Sequence, residues 1–389
     1  MSNYPYIFVH GMASWGGYDE QYKKSPSWGG VNDNSFDMIK AINDRGHEAY
    51  AASVGPFSSA WDRACELYAQ LTGTVVDYGE AHSRKYGHDR YGYSYRDNQL
   101  MEQVWDEKTK LNLVGHSFGG ATIRLFASLM KFGCEEEIRA TGEHTSGLFK
   151  GGHNCINSII TLAAPHNGSQ MANFMRDIKL PFLLLGTAFN FAGAKIGENV
   201  AGYTLRLGHF GLTPRRGQNY SELSLKNILN YSGSEDHCGY NLTIKGAREL
   251  NHMIKTLPDA YYFSHSAYLT SANDKGHQAS LKPSELAWTA AVIGRYQGRV
   301  VDGVKIDSSW AINDGLVPLA SALYPLTESH LAYSLDDALR LGKPLERGKW
   351  YYAKPIGKFD HVDFIGTLNF PTTAQDYYFN IIDTVNNLD

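Results

Sequence analysis

Along the chain, short apolar runs closed by turn-forming residues alternate with longer stretches in which apolar residues recur at helical spacing. The short runs fall at 6–9, 49–54, 111–114, 156–162, 261–264 and 350–354 and predict strands. The longer stretches fall at 36–43, 61–71, 120–130, 245–254 and 374–385 and predict amphipathic helices. Strands that alternate with helices build a mostly parallel central sheet with helices on both faces. The expectation is therefore an α/β fold in a single domain spanning 1–389.

Two long pieces break this rhythm. Residues 73–110, rich in Tyr, His and charge, separate a helix from the strand at 111–114, and residues 170–240 hold an apolar segment followed by a polar, Gly-rich one. Both read as insertions on a core fold, although periodicity alone also allows the second to be one more core helix and a loop. The longest apolar region, 180–194, is interrupted by Gly186, Thr187, Asn190 and Gly193. It falls short of the roughly 20 apolar residues that a spanning helix requires.

Composition narrows the function classes. A net charge of -4, with Lys and Arg scattered rather than clustered, offers no footprint for nucleic acid. Hydrophobic residues at 43% and charged residues at 20% suit a chain with a large core. Cys65, Cys134, Cys155 and Cys238 lie far apart with no CxxC pair, the pattern of buried free thiols. The N-terminus shows neither a basic region nor a cleavage site, which fits a cytosolic chain or a mature form with a start Met added.

The candidate chemistry begins where the strand 111–114 meets a helix, at Gly115-His116-Ser117-Phe118-Gly119. With 39 glycines in 389 residues, composition alone yields about 0.3 matches to Gly-x-Ser-x-Gly, so the flanking elements must discriminate. They do: a nucleophile elbow needs a strand before it, a helix after it, and small residues two positions either side of the Ser. A Ser hydroxyl also needs a base to take its proton and donors to hold the oxyanion. In this fold the acid and then the base follow the Ser along the chain. His361 in Phe359-Asp360-His361-Val362, after a strand-like stretch near the C-terminus, is the leading candidate for the base with His330 as its rival, and Asp314 in Asn313-Asp314-Gly315 is the candidate acid. The oxyanion donors expected are the amides of Phe118 and of Met12, which follows His10-Gly11 at the end of the first strand.

With these pieces in place, the sequence resembles the thermoalkalophilic bacterial lipases, the Bacillus/Geobacillus group and its staphylococcal relatives. The resemblance rests on His10-Gly11-Met12 with Trp28-Gly29-Gly30, on the run 54–68, on 76–82 with Tyr86-Gly87-His88, on the elbow, on 163–168, on 313–317 and on Asp360-His361. It implies a triad of Ser117, Asp314 and His361, which favours His361 over His330. It also implies a structural zinc ion held by Asp62, His82, His88 and Asp236, with Trp61 walling the site. Two carboxylates and two imidazoles close a tetrahedral zinc shell without room for a catalytic water. Family members further bind calcium beside the catalytic His. Here Asp363 keeps one carboxylate, but 366–371 lacks the second acid, so calcium stays an open expectation.

The same resemblance makes 170–240 a lid that moves at a lipid interface, with Leu180, Phe182, Leu183, Leu184, Leu185, Phe189 and Phe191 facing the acyl chain, and it implies secretion. The segment is shorter than in long-lidded relatives, which implies an open cleft suited to bulky or polymeric esters such as polyesters. The expected activity is hydrolysis of hydrophobic carboxylic esters, acylglycerols included, through an acyl-enzyme. Two other classes compete: a zinc-dependent hydrolase, and a non-catalytic binder on the same fold.

Overall fold

The first strand sets the two faces of the core. In β1 (Tyr6–Val9) all four residues are buried. Tyr6 and Phe8 pack with α1 (Met38–Asp44) and the C-terminal helix Ala374–Asn386, whereas Ile7 and Val9 pack with the other apolar cluster. A strand buried on both sides in this way is what a parallel sheet covered by two helical layers requires. The computed structural model describes residues 4–31, 36–178, 205–212, 225–272, 278–366, 369–370 and 372–388.

After β2 (Ala49–Ala52) comes α2 (Ala60–Thr72), which is capped by the Ser59 hydroxyl on the Asp62 amide and ends at Gly73 in the left-handed region. The piece that reads as an insertion contains an antiparallel pair, β3 (Val75–Asp77) and β4 (Tyr91–Ser94), with α3 (Glu80–Tyr86) between them. The chain returns to the sheet through β5 (Leu111–His116), α4 (Phe118–Phe132) and β6 (Ile156–Leu162). Then follow α5 (Ile244–Met253), β7 (Tyr261–His265), β8 (Ala332–Ser334), β9 (Trp350–Tyr352) and α6 (Ala374–Asn386).

Seven strands pair in the order β8-β9-β7-β6-β5-β1-β2, and each pairing is parallel. Helices α2 and α4 cover one face, and α1 and α6 the other. All six expected strands are present, with β2 and β9 two residues shorter than read. The edge strand β8 was not expected: Ala332-Tyr333-Ser334 is partly exposed and carries no apolar run. Of the 170–240 insertion, the described parts include the helix Gln170–Asp177, residues 205–212 and the helix Leu225–Gly233. The seven expected lid residues lie outside the described residues. The four cysteines are free, with Cys65, Cys155 and Cys238 buried. Among the described residues, no helix is long and apolar enough to cross a membrane.

Candidate active site and metal-ligand cluster

Ser117 sits at the sharp turn between β5 and α4 with φ 54 and ψ -127, a conformation that costs a non-Gly residue on the order of 1–3 kcal/mol. The surroundings enforce it. The Ser117 amide donates to Leu162 O at 2.8 Å, which ties the turn to the end of β6. A Cβ on Gly115 would lie 2.6 Å from Gly119 C, and one on Gly119 would lie 2.1 Å from Val9 O, so neither position tolerates a side chain. The two flanking glycines let the backbone pass between strand and helix, and Ser117 between them is half-buried.

From elements distant in sequence, two side chains reach this hydroxyl in series. His361 Nε2 lies 2.7 Å from Ser117 Oγ, and His361 Nδ1 lies 2.8 Å from Asp314 Oδ2. A carboxylate only accepts, so Nδ1 carries the proton and Nε2 is left to accept from the Ser hydroxyl. Asp314 is itself fixed: its Oδ1 accepts from the amides of Leu316 at 3.0 Å and Val317 at 2.7 Å, and its carbonyl accepts from the His361 amide at 3.0 Å. His116 sets its ring 4.9 Å from that of His361, tilted by 45°, and donates from Nε2 to His361 O at 2.9 Å. Burial, with His361 beside it, pushes the His116 pKa down to about 3, so it stays neutral next to the His361 imidazole. His330, the rival candidate, is exposed in the turn Leu326–Leu331.

The loop after β1 borders the same hydroxyl, since a Cβ on Gly11 would come within 2.8 Å of Ser117 Cβ. Met12 follows it, and Phe118 opens α4, where the first amides have no partner within the helix. The loop is held from beneath by Arg63 of α2, a buried residue that sequence reading passed over. Its guanidinium donates to the carbonyls of His10 and Gly55, the latter at 2.9 Å, and to Thr122 Oγ1 of α4 at 2.8 Å. It also lies 5.2 Å over the Phe118 ring. Burial and the Arg63 charge hold His10 well below its usual pKa, and the neutral ring accepts from the Val54 amide at 3.2 Å.

A second constellation forms where the insertion meets α2. Asp62 from α2, His82 from α3, His88 after it and Asp236 each offer one ligand atom, and these atoms all lie within 4.8 Å of one another. It is the one such group of three or more among the described residues. His82 Nε2 is 3.4 Å from Asp62 Oδ1 and 3.1 Å from Asp236 Oδ2, and His88 Nε2 is 3.2 Å from Asp236 Oδ2. Four ligands at about 2.0–2.1 Å from a tetrahedral ion are separated by about 3.3 Å, so the spacing suits a metal. The unpaired atoms point the same way: Asp62 Oδ1 and His88 Nε2 are buried without a hydrogen-bond partner. Burial opposes a charged His82, yet Asp236 and Asp62 lift its pKa to about 9, so the two buried carboxylates call for a positive charge between them.

His209, in the described part of the second insertion, donates to Asp62 Oδ2 at 2.9 Å and leaves only Oδ1 of that carboxylate facing the cluster. Nothing in its sequence context signals this role. Trp61 stacks on His82 with centroids 4.9 Å apart, as a wall of the site. Among the described residues, no hydrogen bond or ion pair joins these four ligands to Ser117, His361 or Asp314.

A parallel sheet with a strained Ser at a strand-to-helix elbow, hydrogen-bonded to a later His that is itself hydrogen-bonded to an Asp, defines an α/β-hydrolase. Within that class the lipase-like C-terminal domain family matches residues 2–387, and the chain belongs to it. It is 33% identical over 374 residues to Lipase 2 of Staphylococcus aureus, covering 94% of this chain and 51% of that protein. It is 33% identical to the Staphylococcus hyicus lipase over 93% of this chain and 53% of that one. The chain thus spans about half the length of these curated relatives. Among solved structures, EstA from Clostridium botulinum superposes with a TM-score of 0.83 at 34% identity, covering 100% of this chain and 88% of that one. The S. hyicus lipase gives 0.80 at 30% identity over 99% and 95%, and lipase 1 from Pelosinus fermentans 0.78 at 30% over the whole of both.

Proposed function

We propose that this chain is a serine hydrolase of carboxylic esters of the lipase and esterase type, with Ser117 as nucleophile, His361 as base and Asp314 as the acid that orients it. The observation that carries this reading is the unbroken run Ser117 Oγ, His361, Asp314 at 2.7 and 2.8 Å. His361 takes the Ser117 proton as Oγ attacks the ester carbonyl, and the amides of Met12 and Phe118 receive the oxyanion. His361 then returns the proton to the leaving alcohol, and water, activated by the same imidazole, releases the acid.

Asp62, His82, His88 and Asp236 would hold a zinc ion, whose closed four-ligand shell supplies a structural tie rather than a nucleophile. Their own work is to join α2, the insertion at 73–110 and the stretch around 236 at one buried point. The relatives' names support hydrophobic esters as the substrate class. The lid, contact with a lipid interface, action on polymeric esters and secretion belong to the same reading, on the strength of the family resemblance.

Kinetics of Ser117→Ala and of metal-stripped enzyme test it. Ser117→Ala should lose esterase activity while stripped enzyme keeps it below its melting temperature; the reverse pattern would favour the zinc-dependent hydrolase. A rate profile across p-nitrophenyl ester lengths, triolein and a polyester film sets the substrate range, and equal rates on monomeric and micellar ester mark an open cleft.

A further inference from the structure

The turn that presents His361 is fastened by charges that the reaction itself does not use. Asp360 and Asp363 flank the His and are 6% and 2% exposed. Asp360 Oδ1 accepts from the amides of Val362 at 3.1 Å and Asp363 at 3.2 Å, and its Oδ2 accepts from Ser284 Oγ at 2.9 Å. Asp363 Oδ1 accepts from Asn369 Nδ2 at 2.6 Å, and its Oδ2 from the Asp360 amide at 2.6 Å. Into the space between the two carboxylates comes Lys282, whose Nζ is 3.5 Å from Asp360 Oδ2 and also donates to Asp363 Oδ2.

We infer that Lys282 is a positioning residue for His361: a tethered ammonium that neutralises the Asp360–Asp363 pair and so holds the turn that carries the imidazole. Two nearly buried carboxylates three residues apart repel and require a counter-charge. An ammonium with three donors meets that need from a single chain position. Calcium asks for 6–8 oxygen ligands at about 2.3–2.6 Å. Here all four carboxylate oxygens already accept from N–H or O–H donors and Lys282 supplies the positive charge, so a divalent ion would have to displace the ammonium. The sequence lacks the second acid after Asp363, and the structure supplies a Lys instead.

This rests on the reading of His361 as the base, and its test separates the two. Wild-type enzyme should show no change in Tm or kcat with millimolar Ca2+. Lys282→Ala should lower kcat about ten- to a hundredfold, as a misplaced base does, with KM little changed. Added Ca2+ should then raise its Tm and recover part of its kcat, and Lys282→Arg should keep most of the activity. A Ca2+-dependent Tm rise in wild type that vanishes in Asp363→Asn would overturn the inference, as would a Lys282→Ala enzyme of unchanged kcat. Should Lys282→Ala not fold, the wild-type Ca2+ titration and Lys282→Arg still decide. An active His361→Ala enzyme would instead sink the catalytic reading and leave the Ca2+ result standing.

Discussion

The Ser117 site and the Asp62 cluster each bring carboxylates and imidazoles together under cover, yet they are finished to different degrees. In the first, Asp314 has an imidazole on one oxygen and two amides on the other, and His361 has a partner on each ring nitrogen. In the second, Asp62 Oδ1 and His88 Nε2 are buried with no hydrogen-bond partner. A buried polar atom left unpaired costs about 1–3 kcal/mol. On the proposed reading, the first is complete with the chain's own atoms and would move a proton, whereas the second would be completed by a cation that ties elements together.

The largest effects that sharpen this contrast lie in the triad. Ser117→Ala should lower kcat by about 10^5-fold or more with little change in Tm, measured on a soluble p-nitrophenyl ester and by calorimetry. Asp314→Asn keeps the shape but offers His361 the wrong partner, and should cost about 10^4-fold in kcat. If either change lowered Tm by many degrees and activity only in proportion, the site would be structural and the comparison broken.

Metal removal should act the other way. Loss of an ion present at about 1,000 times its Kd withdraws about 4 kcal/mol. That corresponds to a Tm lower by about 5 °C, while kcat at 25 °C stays within about twofold. His209→Ala, which frees Asp62 Oδ2, should give a smaller drop and steepen the response to chelator.

The smallest effect is on pH dependence. Burial pushes the His116 pKa down to about 3 and the His265 pKa down to about 4, against an ordinary 6.5. Both stay neutral when folded and take up a proton when unfolded, so the unfolded state binds more protons below pH 6.5. Stability contributed by each is complete above that pH and declines as pH falls toward 4, by about 1.4 kcal/mol per residue at pH 5.5. Urea unfolding at pH 7.5 and 5.5 measures it, and His265→Gln should flatten the slope.

The contrast also explains what the sequence made legible. The elbow is a local object: Gly115, Ser117 and Gly119 fall within five residues, and strand and helix patterns on either side confirm the turn. Asp314 and His361 could be named because chain order after the elbow restricts the search; position put His361 ahead of His330, and resemblance widened that lead. The candidate metal-ligand cluster has no such locality. Its ligands run from Asp62 to Asp236 and meet only because α3 and the β3–β4 pair fold back on α2, so neither spacing nor composition marks them. Arg63, His209 and Lys282 stayed silent for the same reason: each acts through contacts with distant backbone or side chains. The edge strand β8 was missed because an exposed edge needs no apolar run.

One measurement bears on the division of labour most directly: labelling by a fluorophosphonate ester, read by peptide mass spectrometry and residual activity, on metal-replete and metal-stripped enzyme held below the stripped Tm. The account predicts a single adduct on Ser117 in both forms, formed at similar rates, with hydrolysis abolished in step. Hydrolysis that survives complete labelling of Ser117, or labelling that stops when the metal is removed from folded enzyme, would contradict it.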